Sequence, residues 1–149
     1  MNAFSFSVSI KFKILEFFEY NPILSMSASS SLHIGCNKYG RIMLNNTSIS
    51  LTVDNNWHAL TYTYIVGSGA KLQIDDLVYS FSGSTMYGTF GLYLGYEAED
   101  KYSMAKFCDL YYKSGSEIVD SDYNTFGVIN LYDDLGRLQS FKKFDSNVD

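Results

Sequence analysis

The feature that most limits how this chain folds is a strict alternation of apolar and polar residues along short segments. In residues 4–12, aromatic and aliphatic side chains occupy the even positions, and serines and Lys11 occupy the odd positions. The same period of two recurs in residues 59–64, 71–75, 90–95 and 107–112. Because successive side chains of a strand point to opposite faces, each segment predicts a β-strand with one buried face.

The alternation also predicts which side chains face the core. These are Phe4, Phe6, Val8, Ile10, Phe12, Leu60, Tyr62, Tyr64, Leu72, Ile74, Phe90, Leu92, Leu94, Cys108, Leu110 and Tyr112. Turn signals separate the segments: Asn37–Gly40, Asn45–Asn46, Asp54–Asn56, Gly67–Gly69, Asp75–Asp76, Gly83–Ser84 and Ser114–Gly115. Short strands at intervals of roughly 8–15 residues are typical of an all-β sandwich or jelly roll. We therefore predict one domain over residues 1–149.

Composition excludes several classes of protein. The chain has 149 residues, 17% aromatic residues, a formal net charge of −5 and two arginines. A single domain of this length buries a core of its own. The scarcity of clustered basic residues argues against nucleic-acid binding, and no apolar run approaches the ~20 residues that a membrane insertion needs. Two cysteines are too few for a disulfide scaffold or a cysteine-rich zinc site.

The middle of the chain resembles a known superfamily. Residues 56–64 read NWHALTYTY, a glycine hairpin follows at Gly67–Gly69, and residues 71–76 read KLQIDD. This order resembles the laminin-G and concanavalin A-like lectin/glucanase superfamily, in which a Trp-His pair opens a central strand before a glycine hairpin. Residues 90–95 and 105–119 are similar to the strands that follow in that family. The resemblance implies a two-sheet antiparallel jelly-roll sandwich.

The C-terminal segment resembles a narrower group within that superfamily. Residues 128–137 read VINLYDDLGR and are followed by Phe141 and Phe144. Members encoded by phages and prophages carry a similar tail, with glycine where this chain has Asn130. Residues 121–149 are therefore expected to form the return segment of the domain. The resemblance implies a protein of the virion surface, extracellular when it functions, on a head fibre, tail fibre or capsid.

Four tyrosines are the candidate residues for binding a glycan or a protein partner. Leu92 and Leu94 are assigned to the inner face of their strand, and Leu110 to the inner face of its own. Tyr93 and Tyr111 alternate with these leucines, so both are expected to point away from the core. Tyr96 and Tyr102 flank the acidic segment between them. Exposed tyrosines on a sheet face suit a glycan or protein partner. The alternative, given equal weight, is that they line a half-buried surface or a subunit contact.

No catalytic site is predicted. A glucanase of the superfamily needs carboxylates at alternating positions of one strand, and the nearest segment is Glu97–Asp100. We interpret that segment as a solvated acidic loop, with a short helical turn around Glu99–Lys101. Neither His33 nor His58 belongs to a nucleophile motif; His58 is expected to be structural, and Trp57 to be a core anchor rather than a sugar platform.

The remaining predictions concern metals, cofactors and the pairing of the two cysteines. The oxygen-rich clusters Asp54–Asn56, Asp75–Asp76 and Asp133–Asp134 lack a diagnostic calcium spacing, and we predict no obligatory metal and no cofactor. For Cys36 and Cys108 a disulfide is left open, but free buried thiols are expected.

The sequence leads to three hypotheses about function. The first is a non-catalytic adhesion module that recognises cell-surface glycans. The second is a structural decoration or assembly protein that contacts virion proteins or copies of itself, which leaves a homo-oligomer open. The third and weakest is a glycan-cleaving enzyme that uses Glu97.

Overall fold

A computed structural model describes residues 5–27, 31–83, 91–119, 130–132 and 138–140. Within these ranges the chain forms strands and no helix, and therefore no helix capable of crossing a bilayer. The described strands are β1 (Phe6–Glu16), β2 (Tyr20–Ser27), β3 (Ser31–Asn37), β4 (Arg41–Leu44), β5 (Thr47–Thr52), β6 (His58–Ile65), β7 (Gly69–Ile74), β8 (Leu77–Phe81), β9 (Gly91–Leu94), β10 (Tyr96–Ala98), β11 (Lys101–Tyr102), β12 (Met104–Ser114), β13 (Asn130–Tyr132) and β14 (Leu138–Ser140).

Two antiparallel five-stranded sheets make up most of the described part of the chain. Sheet A has the strand order β12-β1-β6-β7-β8, and sheet B has the order β5-β4-β3-β2-β9. Two small hairpins, β10-β11 and β13-β14, stand outside these sheets. Buried side chains of both sheets form one hydrophobic cluster, so the sheets pack face to face as a β-sandwich. The predicted all-β class and the two antiparallel sheets are confirmed.

The inner faces follow the predicted alternation. The predicted inward residues with less than a tenth of their surface exposed are Phe6, Val8, Ile10, Phe12, Leu60, Tyr62, Tyr64, Leu72, Ile74, Leu94 and Leu110. Leu92 and Tyr112 pack against this cluster while partly buried. Phe4, Phe90 and the predicted return segment 121–149, apart from β13 and β14, lie outside the described residues.

A β-bulge in β12 makes one part of the predicted alternation wrong. Ser9 pairs with Tyr111, but Lys11, two residues along β1, pairs with Cys108, so β12 carries one extra residue. Asp109 absorbs it with a left-handed φ of 54°. As a result Phe107 lies opposite Phe12 on the inner face and Cys108 lies on the outer face, the reverse of the prediction.

The turns show where short-range signals succeed and where they fail. Asn45 and Asn46 form the two-residue connection between β4 and β5, with φ values of 48° and 68°. Asparagine tolerates this left-handed conformation better than most residues, as a tight hairpin needs.

The predicted helical turn at Glu99–Lys101 is wrong: residues 99 and 100 form the hairpin turn between β10 and β11. A two-residue turn is too short for a helix.

The structure also revises the expected burial of Trp57 and of Cys108. Trp57 is 47% exposed and is not a core anchor, because it precedes β6 and the strand alternation does not fix its direction. Both cysteines are free thiols, as expected. Cys36 is buried in the core, where burial raises its pKa to about 12. Cys108 is only half-buried, because the bulge turns it outward.

His58 connects two segments at one end of the sandwich. Its Nδ1 lies 2.7 Å from Oδ2 of Asp75, and its Nε2 lies 2.7 Å from Oδ1 of Asp54. Asp75 follows β7 of sheet A, whereas Asp54 lies beyond β5 of sheet B. The amide nitrogen of Asp54 also lies 3.3 Å from Nε2, a contact that requires an unprotonated nitrogen. The shorter contacts to two carboxylates dominate, because charge-assisted hydrogen bonds are the stronger ones.

The two carboxylates set the charge of His58. Burial lowers its pKa, but the hydrogen bonds and negative charges of Asp75 and Asp54 outweigh burial and leave the pKa above its ordinary value of 6.5. Hydrogen bonding to His58 and to the amide of Ala59 outweighs burial and lowers the pKa of Asp75. The imidazolium therefore stabilises the fold below about pH 6.5, and this stabilisation is lost as pH rises through the raised folded-state pKa.

We predict that His58→Gln lowers the free energy of unfolding by about 1–2 kcal/mol near pH 6 and by less near pH 9. Urea unfolding at both pH values measures the difference. The native chain should lose stability across this interval, and the variant should lose less. The same difference between native chain and variant at both pH values would contradict a bridging imidazolium.

Candidate functional site

The outer face of sheet B carries a row of side chains that point away from the core. Ser25 of β2 pairs with His33 of β3 on one side and with Tyr93 of β9 on the other. Their neighbours along the strands, such as Leu24 and Leu94, fill the inner face. Alternation thus directs Tyr93 outward, as the sequence predicts.

A nearly buried carboxylate organises one end of this row. The side chain of Glu97, in β10, is only 9% exposed. Its Oε1 accepts a hydrogen bond of 2.7 Å from the Tyr20 hydroxyl and lies 3.4 Å from Nδ1 of His33. That nitrogen is 3.3 Å from Oγ of Ser25. The interpretation of Glu97 as part of a solvated acidic loop is therefore wrong, because the β10-β11 hairpin folds against β2 and brings Glu97 to Tyr20.

We call Tyr20, Ser25, His33 and Glu97 the Glu97 cluster. Burial raises the pKa of Tyr20 well above its ordinary value, and the hydrogen bond to Glu97 and the charge of that carboxylate raise it further. The Tyr20 hydroxyl therefore keeps its proton and serves as a donor at any physiological pH. This donor compensates a carboxylate that is largely removed from water.

Two glycines make room for tyrosine rings on this face. A Cβ atom at Gly35 would lie 2.6 Å from the Tyr20 hydroxyl oxygen, and a Cβ atom at Gly91 would lie 2.7 Å from that of Tyr93. The tyrosine rings therefore extend along the sheet over the bare backbone of the glycines. Glycine inside a strand often marks such a close approach.

Three of the four predicted tyrosines lie in the region of β9, β10 and β11. The rings of Tyr93 and Tyr96 meet edge to face with centroids 6.2 Å apart. Tyr96 pairs with Tyr102 across the β10-β11 hairpin. Tyr102, 40% exposed, lines a cleft of about 670 Å³ together with Tyr20. The cleft therefore adjoins the Glu97 cluster through Tyr20.

The fourth predicted tyrosine lies elsewhere. Tyr111 is in β12 and pairs with Ser9 of β1, on the outer face of sheet A. The sandwich core separates it from Tyr93, so the four tyrosines do not form one surface. A ligand bound by Tyr93 and Tyr96 on sheet B therefore does not contact Tyr111 on sheet A.

Sequence reasoning did not select Tyr20, Ser25, His33, Gly35 or Gly91. Glu97 and Tyr20 are 77 residues apart, and alternation along single strands does not indicate which strands are neighbours. The sequence signal for this site was the two glycines within strands, Gly35 and Gly91. Glycine weakens a strand, and it often marks a place where another group approaches the backbone closely.

The chemistry available here is recognition by aromatic and polar groups. Two tyrosine rings stand beside a carboxylate, a hydroxyl and an imidazole that is about one-third exposed. Within the described ranges, no group of three or more His, Cys, Asp or Glu is arranged to hold a metal ion. No protein-family model and no curated protein matches the chain.

We predict that Tyr20→Phe destabilises the protein by about 1–3 kcal/mol, because it removes the hydroxyl donor from the nearly buried carboxylate of Glu97. Tyr39→Phe is the matched control, since Tyr39 is 79% exposed, and should change stability by less than about 0.5 kcal/mol. Thermal unfolding of the two variants makes the comparison. Equal effects would show that the Tyr20–Glu97 hydrogen bond contributes nothing.

Proposed function

We propose that this protein is a non-catalytic glycan-binding module with a concanavalin A-like jelly-roll fold, carried on the surface of a phage virion. The observation that carries the binding function is the pair Tyr93–Tyr96 beside the Glu97 cluster on the outer face of sheet B. The two-sheet sandwich supports the fold assignment. The virion assignment rests on the resemblance of the C-terminal segment to phage-encoded tails.

Sugar rings need two kinds of contact, and this face offers both. A pyranose has an apolar C–H face that packs against an aromatic ring, and hydroxyls that need directed hydrogen bonds. Tyr93 and Tyr96 supply aromatic surface. His33, partly exposed at the edge of the Glu97 cluster, supplies a polar ring whose position Ser25 and Glu97 help to fix. Such preorganisation lowers the entropic cost of binding a polar ligand.

The arrangement of Glu97 favours binding over cleavage. Glycoside hydrolysis in this superfamily uses a pair of carboxylates that act on the scissile bond. Glu97 instead accepts the Tyr20 hydrogen bond from a nearly buried position, which suits a positioning role. We expect no release of reducing ends from a panel of polysaccharides. Release that disappears in Glu97→Gln would establish the enzyme hypothesis in its place.

We predict that Tyr93→Ala lowers the affinity for a glycan identified on an array by about tenfold or more, as expected when a central aromatic contact is removed. Tyr39→Ala removes an equally large side chain that is exposed in the β3–β4 turn, and serves as the control. It should leave binding unchanged. Binding to no host-surface polysaccharide, or equal binding by both variants, would contradict the proposal.

A decoration or assembly protein is the second candidate, favoured by the edge of sheet A. On strand β8, Leu77 is 61% exposed and Val78 is 55% exposed. An exposed apolar edge strand is a template for pairing with another chain. Sedimentation of the isolated protein distinguishes the candidates: a stable oligomer that Leu77→Lys dissociates favours assembly, whereas a monomer argues against self-assembly.

A further inference from the structure

The outer face of sheet A is basic, although the chain as a whole is acidic. The described ranges contain eight lysine and arginine residues, and strand register places five of them on this one face. These five are Lys11, Lys13, Lys71, Lys106 and Lys113. The full chain carries a formal charge of −5. The sheet therefore concentrates cations that composition alone conceals.

Three carboxylates of the described residues, Glu16, Asp109 and Glu117, only partly neutralise this face. Asp109 lies 3.2 Å from Nζ of Lys11, and Glu117 forms a salt bridge with Lys71. Lys113 donates to the carbonyl oxygen of Glu117, which carries no charge. Glu16 pairs with Met104 and lies on the same face next to Lys13 and Lys106. Among the described residues, five lysines and three carboxylates leave a net formal charge of +2 on this face.

Lys13 and Lys106 are the informative pair. They are direct partners across the antiparallel strands β1 and β12, so their side chains stand side by side on the outer face. Neither has a hydrogen-bond or salt-bridge partner among the described residues. Like charges directly opposite each other destabilise a sheet. An anion bound between the two ammonium groups turns this repulsion into attraction.

A shallow groove lies on the same face and begins at Lys11, the next outward residue of β1 after Lys13. Ser9, Ala59 and Thr61 belong to its lining of small side chains, and Tyr111 and the Lys11–Asp109 pair also line it. The groove has a volume of about 360 Å³. The bulge at Asp109 brings the carboxylate to Lys11, and backbone irregularities of this kind are common at binding sites. Lys13 lies roughly 7 Å along β1 from Lys11.

We propose that the outer face of sheet A binds an anionic polysaccharide, with acidic groups at Lys13 and Lys106 and a sugar ring in the groove beside Tyr111. The positive charge selects a polyanion, and the small-residue floor with one tyrosine suits a sugar ring. This inference rests on the proposed function in taking the ligand to be a glycan. It adds a second glycan site, for an anionic polymer, on a surface separate from Tyr93 and Tyr96.

The test uses the full chain and polygalacturonate, which carries a carboxylate on each ring. We expect Lys13→Gln/Lys106→Gln to weaken binding by about tenfold, since two exposed charge contacts are lost. The control Lys38→Gln/Lys101→Gln makes the same change in net charge at lysines outside this face, in the β3–β4 turn and in β11. The control should bind within about twofold of the native chain. Binding should also weaken between about 50 and about 300 mM salt.

Several outcomes would overturn the proposal: no binding of polygalacturonate, equal losses in both double variants, or tighter binding of single-stranded oligothymidylate than of polygalacturonate. A second measurement tests the charge argument without a ligand. Lys13→Gln alone should raise the thermal midpoint by about 1–3 °C, because it removes the facing like charge. Tyr93→Ala should leave polygalacturonate binding intact, so failure of this proposal and failure of the sheet B site are separable.

Discussion

The packing of two sheets against each other through their alternate side chains is the constraint on which the rest of the structure depends. Residues of even number in β1 and β6 fill one inner face, and β2 and β3 supply much of the other. Buried area of this kind provides most of the stability of a small sandwich. Because every second side chain is committed to the core, side chains for recognition come from the remaining positions on the outer faces.

The two outer faces have acquired different chemistry. Sheet B presents tyrosines beside a nearly buried carboxylate, with glycines beneath two of the rings. Sheet A presents lysines beside a groove whose floor is made of small side chains. The β-bulge at Asp109 and the hairpin that carries Glu97 are the local irregularities that complete these faces. The regular strands provide the framework, and departures from regularity bring Asp109 to Lys11 and Glu97 to Tyr20.

The sequence predicts what depends on neighbours along one strand. It identified the inner residues of β1, β6 and β7, and the outward direction of Tyr93, because alternation is a local property. It failed where one residue breaks the period, as at Cys108, and where a side chain lies outside a strand, as at Trp57. The Glu97 cluster depends on strand order between distant segments, which alternation does not encode. The sequence did not predict the basic outer face of sheet A, because net charge is summed over the whole chain and does not show which face each charge lies on.

The proposed sugar site is the aromatic and polar face of sheet B around Tyr93 and Tyr96. The most direct measurement is an NMR titration of the isotope-labelled native chain with the oligosaccharide that the glycan array identifies. We predict that the amide resonances of Tyr93, Tyr96 and His33 shift together and saturate, while those of β7 and β8 do not move. Shifts confined to sheet A, or no saturable shifts around Tyr93, would contradict the account.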